Sequence, residues 1–417
     1  MVLSARSVWR VAAIAGWCAL QTLSSAGCAG PQSQINANPG ATLTIGVDLP
    51  LSGADASDGV PTANAVKLAI RDANDMQLVA GFRLVADIRD DAVNGVHDPD
   101  KGAVNFQQFV ENPDVVGVIG PLNSNVAQAL IPISNADELV LISPANTNPD
   151  LTIGPQALAL RKSHPLEITY YRVCPTDAVQ GSAGATFAYE TLKTRRAYIM
   201  DDDMTFGRGV ADQWASQFRS EGGTILGHDH ATPGQTDFTE MIDHAEAAGA
   251  DVIFFGGESS TGAAAARKEM TGTGLASVPY LSGDGIQNQQ FLDVAGPESE
   301  NSYATVAAAN AAELPTASEF IREYRAAYGQ DAGAYSASAY VATMVLIDAI
   351  ARAVRDGQGQ PPTRAQVLAH VRSAATYSSI LGVFSFDQNG DTTLKIVSIW
   401  RASHGKWVFL TQRDFGS

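Results

Sequence analysis

Ser124 and Thr147 are the residues of this chain whose type and position best suit an anion. Each follows an apolar run, over 115–119 and 139–142 respectively, that reads as a strand. Where a helix starts after such a strand, its first backbone N–H groups lack partners and point outward. A hydroxyl beside them makes a carboxylate cradle, and open α/β sheets bind ligands outside these strand ends. Ser124 equally suits a helix N-cap, and the two roles are compatible. Asp284, in Ser282-Gly283-Asp284-Gly285 after a later strand, offers the opposite charge. It serves either as the partner of an ammonium group or as an aspartate that holds a glycine-flanked turn.

Other chemistry finds few carriers. No Gly-Lys-Ser/Thr phosphate loop, His-Glu-x-x-His or Gly-x-Ser-x-Gly element occurs. The expectation is a protein that is not an enzyme and needs no cofactor or metal. His228 and His230, with His244 further on, read as alternating residues at a surface strand end. Asp201–Asp203 reads as a structural acidic loop. Asp387-Gln388-Asn389-Gly390-Asp391 imitates the start of a calcium loop, but the twelfth position is Ser398 where a glutamate is needed. Asn389-Gly390 reads instead as a hairpin turn. Cys174, in Tyr-Arg-Val-Cys-Pro, reads as a buried, inert thiol on a strand.

The elements that must position these residues alternate regularly. Strands are expected over 42–49, 82–88, 115–119 and 139–142, with helices from Pro61, over 101–110 and over 126–133. The helix after Pro61 carries Val66, Ala69, Ile70 and Ala73 at the i, i+3, i+4, i+7 spacing. The same grammar restarts near Arg172: a helix near 185–192, strands 197–200, 223–227 and 251–255, helices 209–218, 237–247 and 263–270. A strand at 280–281 and a segment over 286–294 continue it. Three helices follow, over 316–328, 334–354 and 364–374, before strands at 383–386, 394–400 and 407–410. Continuous apolar strands separated by amphipathic helices give an α/β fold with parallel sheets covered on both faces.

The N-terminus and the bulk composition set the compartment. Arg6 and Arg10 precede an acid-free apolar stretch over 11–23 that ends in Ser25-Ala26-Gly27-Cys28, the order of a secretory signal. A cysteine directly after Ala-Gly resembles a bacterial lipobox, in which that cysteine is lipidated and becomes the mature N-terminus; Ser25 departs from the aliphatic residue usual there. Residues 29–40 read as a polar tether. Without residues 1–27, 25 basic residues face 44 acidic ones, which argues against nucleic acid as a partner. About 375 residues at 45% hydrophobic overall fit two domains. With Cys18 in the signal and Cys28 at the anchor, Cys174 has no disulfide partner, and no second apolar run reads as a membrane span.

Five motifs in order carry a family resemblance: Ile45-Gly46-Val47 with Pro50-Leu51-Ser52-Gly53, Ile119-Gly120-Pro121-Leu122-Asn123-Ser124, Ile142-Ser143-Pro144-Ala145-Asn146-Thr147, Asp201-Asp202 with Phe206-Gly207 and Gly209, and Phe255-Gly256-Gly257. Together they resemble the type I periplasmic solute-binding proteins of the leucine/isoleucine/valine-binding branch, over nearly all of 42–400. The resemblance implies two lobes, each a parallel sheet flanked by helices, with three crossovers at the hinge near 171, 307 and 381. Lobe 1 would comprise 42–171 plus 308–380, and lobe 2 172–307 plus 381–417, after a signal over 1–27 and a lipidated tether over 28–41. It implies a monomeric receptor held outside the cytoplasm by a lipid anchor in the membrane, delivering a small-molecule ligand, an amino acid or similar solute, to ABC permease subunits. The alternative on the same fold is a sensory receptor for amides or amino acids.

By the same resemblance, Ser124, Ala145 and Thr147 contact the amino-acid headgroup, and Asn146 between them is a further candidate for ligand binding, with holding the turn only as the alternative. Asp284 takes the ammonium, one methylene shorter than the family's glutamate, and Phe206 covers the ligand. Two positions depart from the pattern. Asp58 and Glu258 lie near positions where relatives carry aromatic residues. A carboxylate there is costly against an aliphatic side chain unless it is solvated or paired. Both acids either favour a ligand with a second cation or several hydrogen-bond donors, or are loop acids outside the site.

Overall fold

A computed structural model describes residues 40–416. The expected signal, Cys28 and most of the tether lie outside the described residues. The main-chain strands, in order, are β1 (Thr42–Leu49), β2 (Arg83–Asp90), β3 (Ala92–Val93), β4 (Val96–His97), β5 (Val115–Ile119), β6 (Leu141–Ser143), β7 (Tyr170–Arg172), β8 (Arg196–Asp201), β9 (Thr224–His230), β10 (Val252–Gly256), β11 (Tyr280–Ser282), β12 (Ser302–Val306), β13 (Tyr377–Ser379), β14 (Gly382–Phe384), β15 (Ile396–Ser403) and β16 (Lys406–Asp414). They form a five-stranded sheet, β2-β1-β5-β6-β7, and a seven-stranded sheet, β16-β15-β12-β11-β10-β8-β9; β3-β4 and β13-β14 are short ribbons.

Both large sheets are sandwiched between helices, and the period-2 alternation of their strands divides each into two cores. In β5 a register shift against β1, from Thr44↔Val115 to Ile45↔Gly117, interrupts the alternation, so Val116 and Ile119 share the core of the helices Ala56–Asp75 and Ser336–Asp356, and Val115 and Val118 that of Pro99–Glu111 and Ser124–Asp137. In β8, Ala197 and Ile199 pack on the helix Thr205–Ser220, and Tyr198 and Met200 on the opposite layer. Trp214 of that helix is fully buried, stacked 4.6 Å from Phe218 and 4.9 Å from Phe254. All pairs in the five-stranded sheet are parallel, as in Val47↔Ile88 and Val47↔Ile119.

The chain passes between the two sheets three times. It leaves the first after β7 and enters the second at β8. After β12 it returns as the helices Ser318–Tyr328, Ser336–Asp356 and Arg364–Ser373, whose apolar faces join the core of the first sheet. It then crosses again, adding β15 antiparallel to β12 and β16 antiparallel to β15. Their turn carries His404 and Gly405 at φ of +53° and +68°, the two left-handed positions of a type I′ hairpin.

Several expectations are corrected. Pro61 lies inside the helix Ala56–Asp75 rather than opening it; Gly59 N–H already bonds Asp55 C=O, so the helix starts a turn earlier. The helix near 185–192 begins at Asp177 and ends in a wide turn over Phe187–Thr191. β12 and the helix Gly154–Leu160 had no sequence signal: β12 is five residues long and carries Ser302 and Thr305. Ser336–Asp356 is long and apolar enough to cross a membrane, contrary to the expectation of no second such run. It is apolar because the first sheet and neighbouring helices bury most of it. Asn389-Gly390 does reverse the chain, but between single bridging residues Phe386 and Thr392 rather than two strands.

Arg172 joins the first and third crossings. Its side chain is fully buried; Nε donates to Asp391 Oδ1 at 2.6 Å, one terminal nitrogen donates to the carbonyls of Asn146 (2.9 Å) and Asn148 (2.7 Å), and the other to Thr152 Oγ1. Removing one partner of a buried pair strands the other charge. Arg172→Met is expected to lower the unfolding free energy by about 3–5 kcal/mol. The double variant Arg172→Met/Asp391→Leu should be less destabilised than Arg172→Met alone in urea unfolding. An additive or worse loss in the double variant would refute the pairing as the source of the effect.

Candidate functional site

The helix Ser124–Asp137 starts one strand-end beyond β5, with Asn123 as its N-cap residue. Asn123 gives the helix no side-chain cap; its Nδ2 instead donates 2.7 Å across to Glu258 Oε1. Ser124 thus occupies the first helical position, with the turn's N–H groups directed outward. Beyond β6, Ser143 Oγ accepts from the N–H groups of Ala145 (3.1 Å) and Asn146 (2.9 Å) and donates to Pro121 C=O. This tight turn, with Arg172 gripping its far carbonyls, fixes Ala145 and Thr147.

Seven of the eight residues singled out in the sequence border one cavity: Asp58, Ser124, Ala145, Thr147, Phe206, Glu258 and Asp284. Asn146 does not. Its amide is occupied inside the protein, Nδ2 donating to Leu122 C=O (2.8 Å) and Oδ1 accepting from Tyr170 OH (3.0 Å). It holds the turn and faces away from the cavity. Phe206 reaches the wall because Gly207 lets its helix lie against the end of β10; a Cβ on Gly207 would sit 2.5 Å from Gly256 C=O.

The cavity lies between the two sheets, and side chains from both sides meet across it. Asn288 Nδ2 donates to Asp58 Oδ2 (2.7 Å), Tyr335 OH to Asp284 Oδ2 (2.7 Å), and Asn148 Nδ2 to Thr205 C=O (2.6 Å). Thr205 Oγ1 also donates to Gln128 Oε1 at 3.0 Å. These bonds describe a closed cleft. The two acids that depart from the family pattern are therefore paired, Asp58 by Asn288 and Glu258 by Asn123 and His97.

His97 is the centre of charge that the sequence did not disclose. Its Nδ1 lies 2.8 Å from Asp55 Oδ2 and 3.4 Å from Glu258 Oε2, with 2% of its side chain exposed. Burial alone would discharge the ring, but the carboxylates of Glu258 and Asp55 outweigh it and raise its pKa to about 9. Burial raises Glu258 to about 8, only partly offset by His97. Asp55, despite its burial, is held low by the hydrogen bond from His97. Burial also raises Asp58 and Asp284, against the hydrogen bonds of Asn288 in one case and of Gln180 and Tyr335 in the other. The wall is thus acidic, and the protein supplies donors to each acid.

Asn123, Asn288 and Tyr335 were also missed. Only Tyr335 left a trace, as a lone tyrosine ahead of an apolar helix, where a buried hydroxyl requires a partner. Asp55 and His97 are 42 positions apart and meet only because the β3-β4 ribbon folds back over the first helix. Cys174 is buried as expected, 1% exposed with its thiol facing Asn146 C=O at 3.3 Å and its pKa pushed upward by burial, but it lies in a bend two residues past the end of β7 and not on a strand.

Residues 42–401 match the family described as periplasmic binding protein. A Leu/Ile/Val-binding protein homolog 3 of Brucella melitensis is 25% identical over 370 residues, covering 89% of this chain and 94% of that protein. The Leu/Ile/Val-binding protein BraC3 of Rhizobium johnstonii is 26% identical over 368 residues, covering 88% and 94%. Among solved structures, a leucine-binding protein LivK from Thermotoga maritima superposes with a TM-score of 0.76 at 24% identity, covering 89% of this chain and 98% of its own. The branched-chain amino acid transporter substrate-binding protein LivJ from Streptococcus pneumoniae, in complex with isoleucine, gives 0.75 at 21% identity, covering 89% and 99%. These structures share the two-lobe fold with its sheets flanked by helices. With the match spanning both sheets and the cleft between them, the chain belongs to the periplasmic binding protein family, whose members bind solutes outside the cytoplasm.

Proposed function

We propose that this protein is the solute receptor of an ABC importer, which closes on an amino acid or related small polar solute and presents the closed form to a permease. The observation that carries the reading is the polarity of the cleft. Ser124, at the start of its helix, borders the cavity with Ala145 and Thr147 on one side, and Asp284 borders it from the other. That arrangement complements a carboxylate and an ammonium held about two bonds apart. Relatives named Leu/Ile/Val-binding proteins support the amino-acid class. Asp58 and Glu258 shift the preference from aliphatic side chains toward a ligand with a second cation or several hydrogen-bond donors.

In this reading, lobe 1 comprises 42–171 with 308–380 and lobe 2 comprises 172–307 with 381–417. Ligand contacts that bridge the lobes form only on closure, so binding shifts the hinge equilibrium. A signal over residues 1–27 and a lipid on Cys28 would tether a monomer at the membrane surface. Phe206 would cover the ligand.

A thermal-melt screen of protein stripped by unfolding and refolding tests the ligand class, with amino acids, amides, polyamines and small sugars as the panel. A ligand at 100 times its Kd should stabilise by about 2.7 kcal/mol. A shift with basic or amide-bearing amino acids is expected; a shift with leucine-like ligands alone would remove Asp58 and Glu258 from specificity. Asp284→Ala should abolish binding with little change in the melt of the empty protein, whereas Tyr335→Phe should weaken it by about 1.5–3 kcal/mol through one hydrogen bond to a charged group. Equal losses would make Asp284 a latch between lobes and not a ligand contact. Thr147→Val should cost about 1–3 kcal/mol of affinity, and an unchanged Kd would exclude it from the site.

Closure should also depend on pH. In the closed form Glu258 titrates near 8 and His97 near 9, against ordinary values of 4.5 and 6.5. Both are raised, so the closed form binds more protons than an open, solvated cleft. Their contribution to closure is full at low pH and is lost as pH rises through 8 and then 9. Small-angle scattering of the empty protein should therefore show a smaller radius of gyration at pH 6 than at pH 9.5. The reverse order would overturn the assignment.

A further inference from the structure

A second cluster of chemistry lies outside the cleft, where β9 forms the edge of the seven-stranded sheet. β9 runs parallel to β8, with Asp201 opposite His230 and Ile199 opposite His228. His228 and His230, two residues apart on one strand, project to the same face. Both converge on a single oxygen: His228 Nε2 lies 2.7 Å and His230 Nδ1 2.9 Å from Asp201 Oδ2. The rings are 4.5 Å apart between centroids. His244, grouped with them in the sequence, belongs elsewhere, pairing with Asp229 at 2.9 Å.

We infer that Asp201, His228 and His230 form a binding site for a first-row divalent transition-metal ion such as zinc. The donor set, two neutral imidazoles and one carboxylate, is one that zinc accepts. An ion at about 2.1 Å from each donor needs donor separations of roughly 3.0–3.4 Å, so the contacts of Asp201 with His228 (2.7 Å) and His230 (2.9 Å) must each open by roughly 0.1–0.7 Å. The anchor is rigid: Asp201 is fully buried, and its Oδ1 accepts the Asp203 N–H at 2.9 Å, fixing the carboxylate. The imidazoles are accessible, with 23% and 44% of their side chains exposed, which leaves an entry path and room for water to complete the coordination.

The position gives such an ion a purpose. Asp201 ends β8, and the next residues lead directly into the helix that carries Phe206. Asp202 Oδ1 accepts from Met204 N–H at 3.0 Å, and Thr205 bonds across the cleft. An ion on Asp201 would stiffen the base of this segment without touching the solute.

The test is zinc binding by tag-free, chelator-stripped protein, followed by calorimetry and by competition with a chromophoric chelator. One zinc ion per chain is expected, raising the melting temperature. Affinity should fall at least about tenfold in His228→Gln and in His230→Gln, and vanish in the double variant. His244→Gln and His97→Gln should retain it. The melt of each variant without metal shows whether it is folded. No binding by the wild type, equal binding by the double variant, or loss in His97→Gln would each overturn the site, the last by moving the ion to Asp55, His97 and Glu258.

Discussion

The buried guanidinium of Arg172 is the contact on which the arrangement of this protein depends. It sits where the chain first leaves the five-stranded sheet, and its partner Asp391 arrives 219 positions later, on the chain's last passage between the two sheets. The remaining donors hold the carbonyls of Asn146 and Asn148 and the hydroxyl of Thr152. A fully buried charge demands this complete set of partners, because each missing one leaves an uncompensated group in a low-dielectric interior. The consequence runs outward. The loop after β6 is pinned, Ala145 and Thr147 are presented to the cleft, and Asn148 is aimed at Thr205 in the other lobe.

On the cleft itself, the governing constraint is an excess of acid. Asp58, Glu258 and Asp284 border the cavity between the sheets, and each meets a donor from the protein: Asn288, Asn123 with His97, and Tyr335 with Gln180. Most of these bonds span the lobes. Closure therefore exchanges solvent for fixed amide, phenol and imidazole donors, and the balance between the two sets the hinge equilibrium. A ligand bearing its own donors competes with these groups for the same oxygens. The chemistry that departs from the family's aromatic positions is thus built into the conformational change as well as the walls.

The sequence by itself determined the layers and most of the cavity's acids. Continuous apolar strands such as Val115–Ile119 can be stable only between two covering layers, so the parallel sheets were legible from composition alone. Ser124, Thr147 and Asp284 were legible because each follows a strand end, and Ala145, Phe206, Asp58 and Glu258 through the family resemblance. Tertiary structure decided the rest. β12 was silent because Ser302 and Thr305 interrupt its pattern, and only its place between β11 and β15 makes it a strand. Ser336–Asp356 resembled nothing but an apolar helix until the first lobe's core enclosed it. Asn146, next to two cavity residues, turned inward toward Leu122 and Tyr170. His97 gained its charge from Asp55 and Glu258, which no local pattern links to it. The physical reason is common to all four: local spacing fixes which residues share a face, but burial, pairing and charge are set by groups far away in sequence, and these meet only when the lobes fold and close.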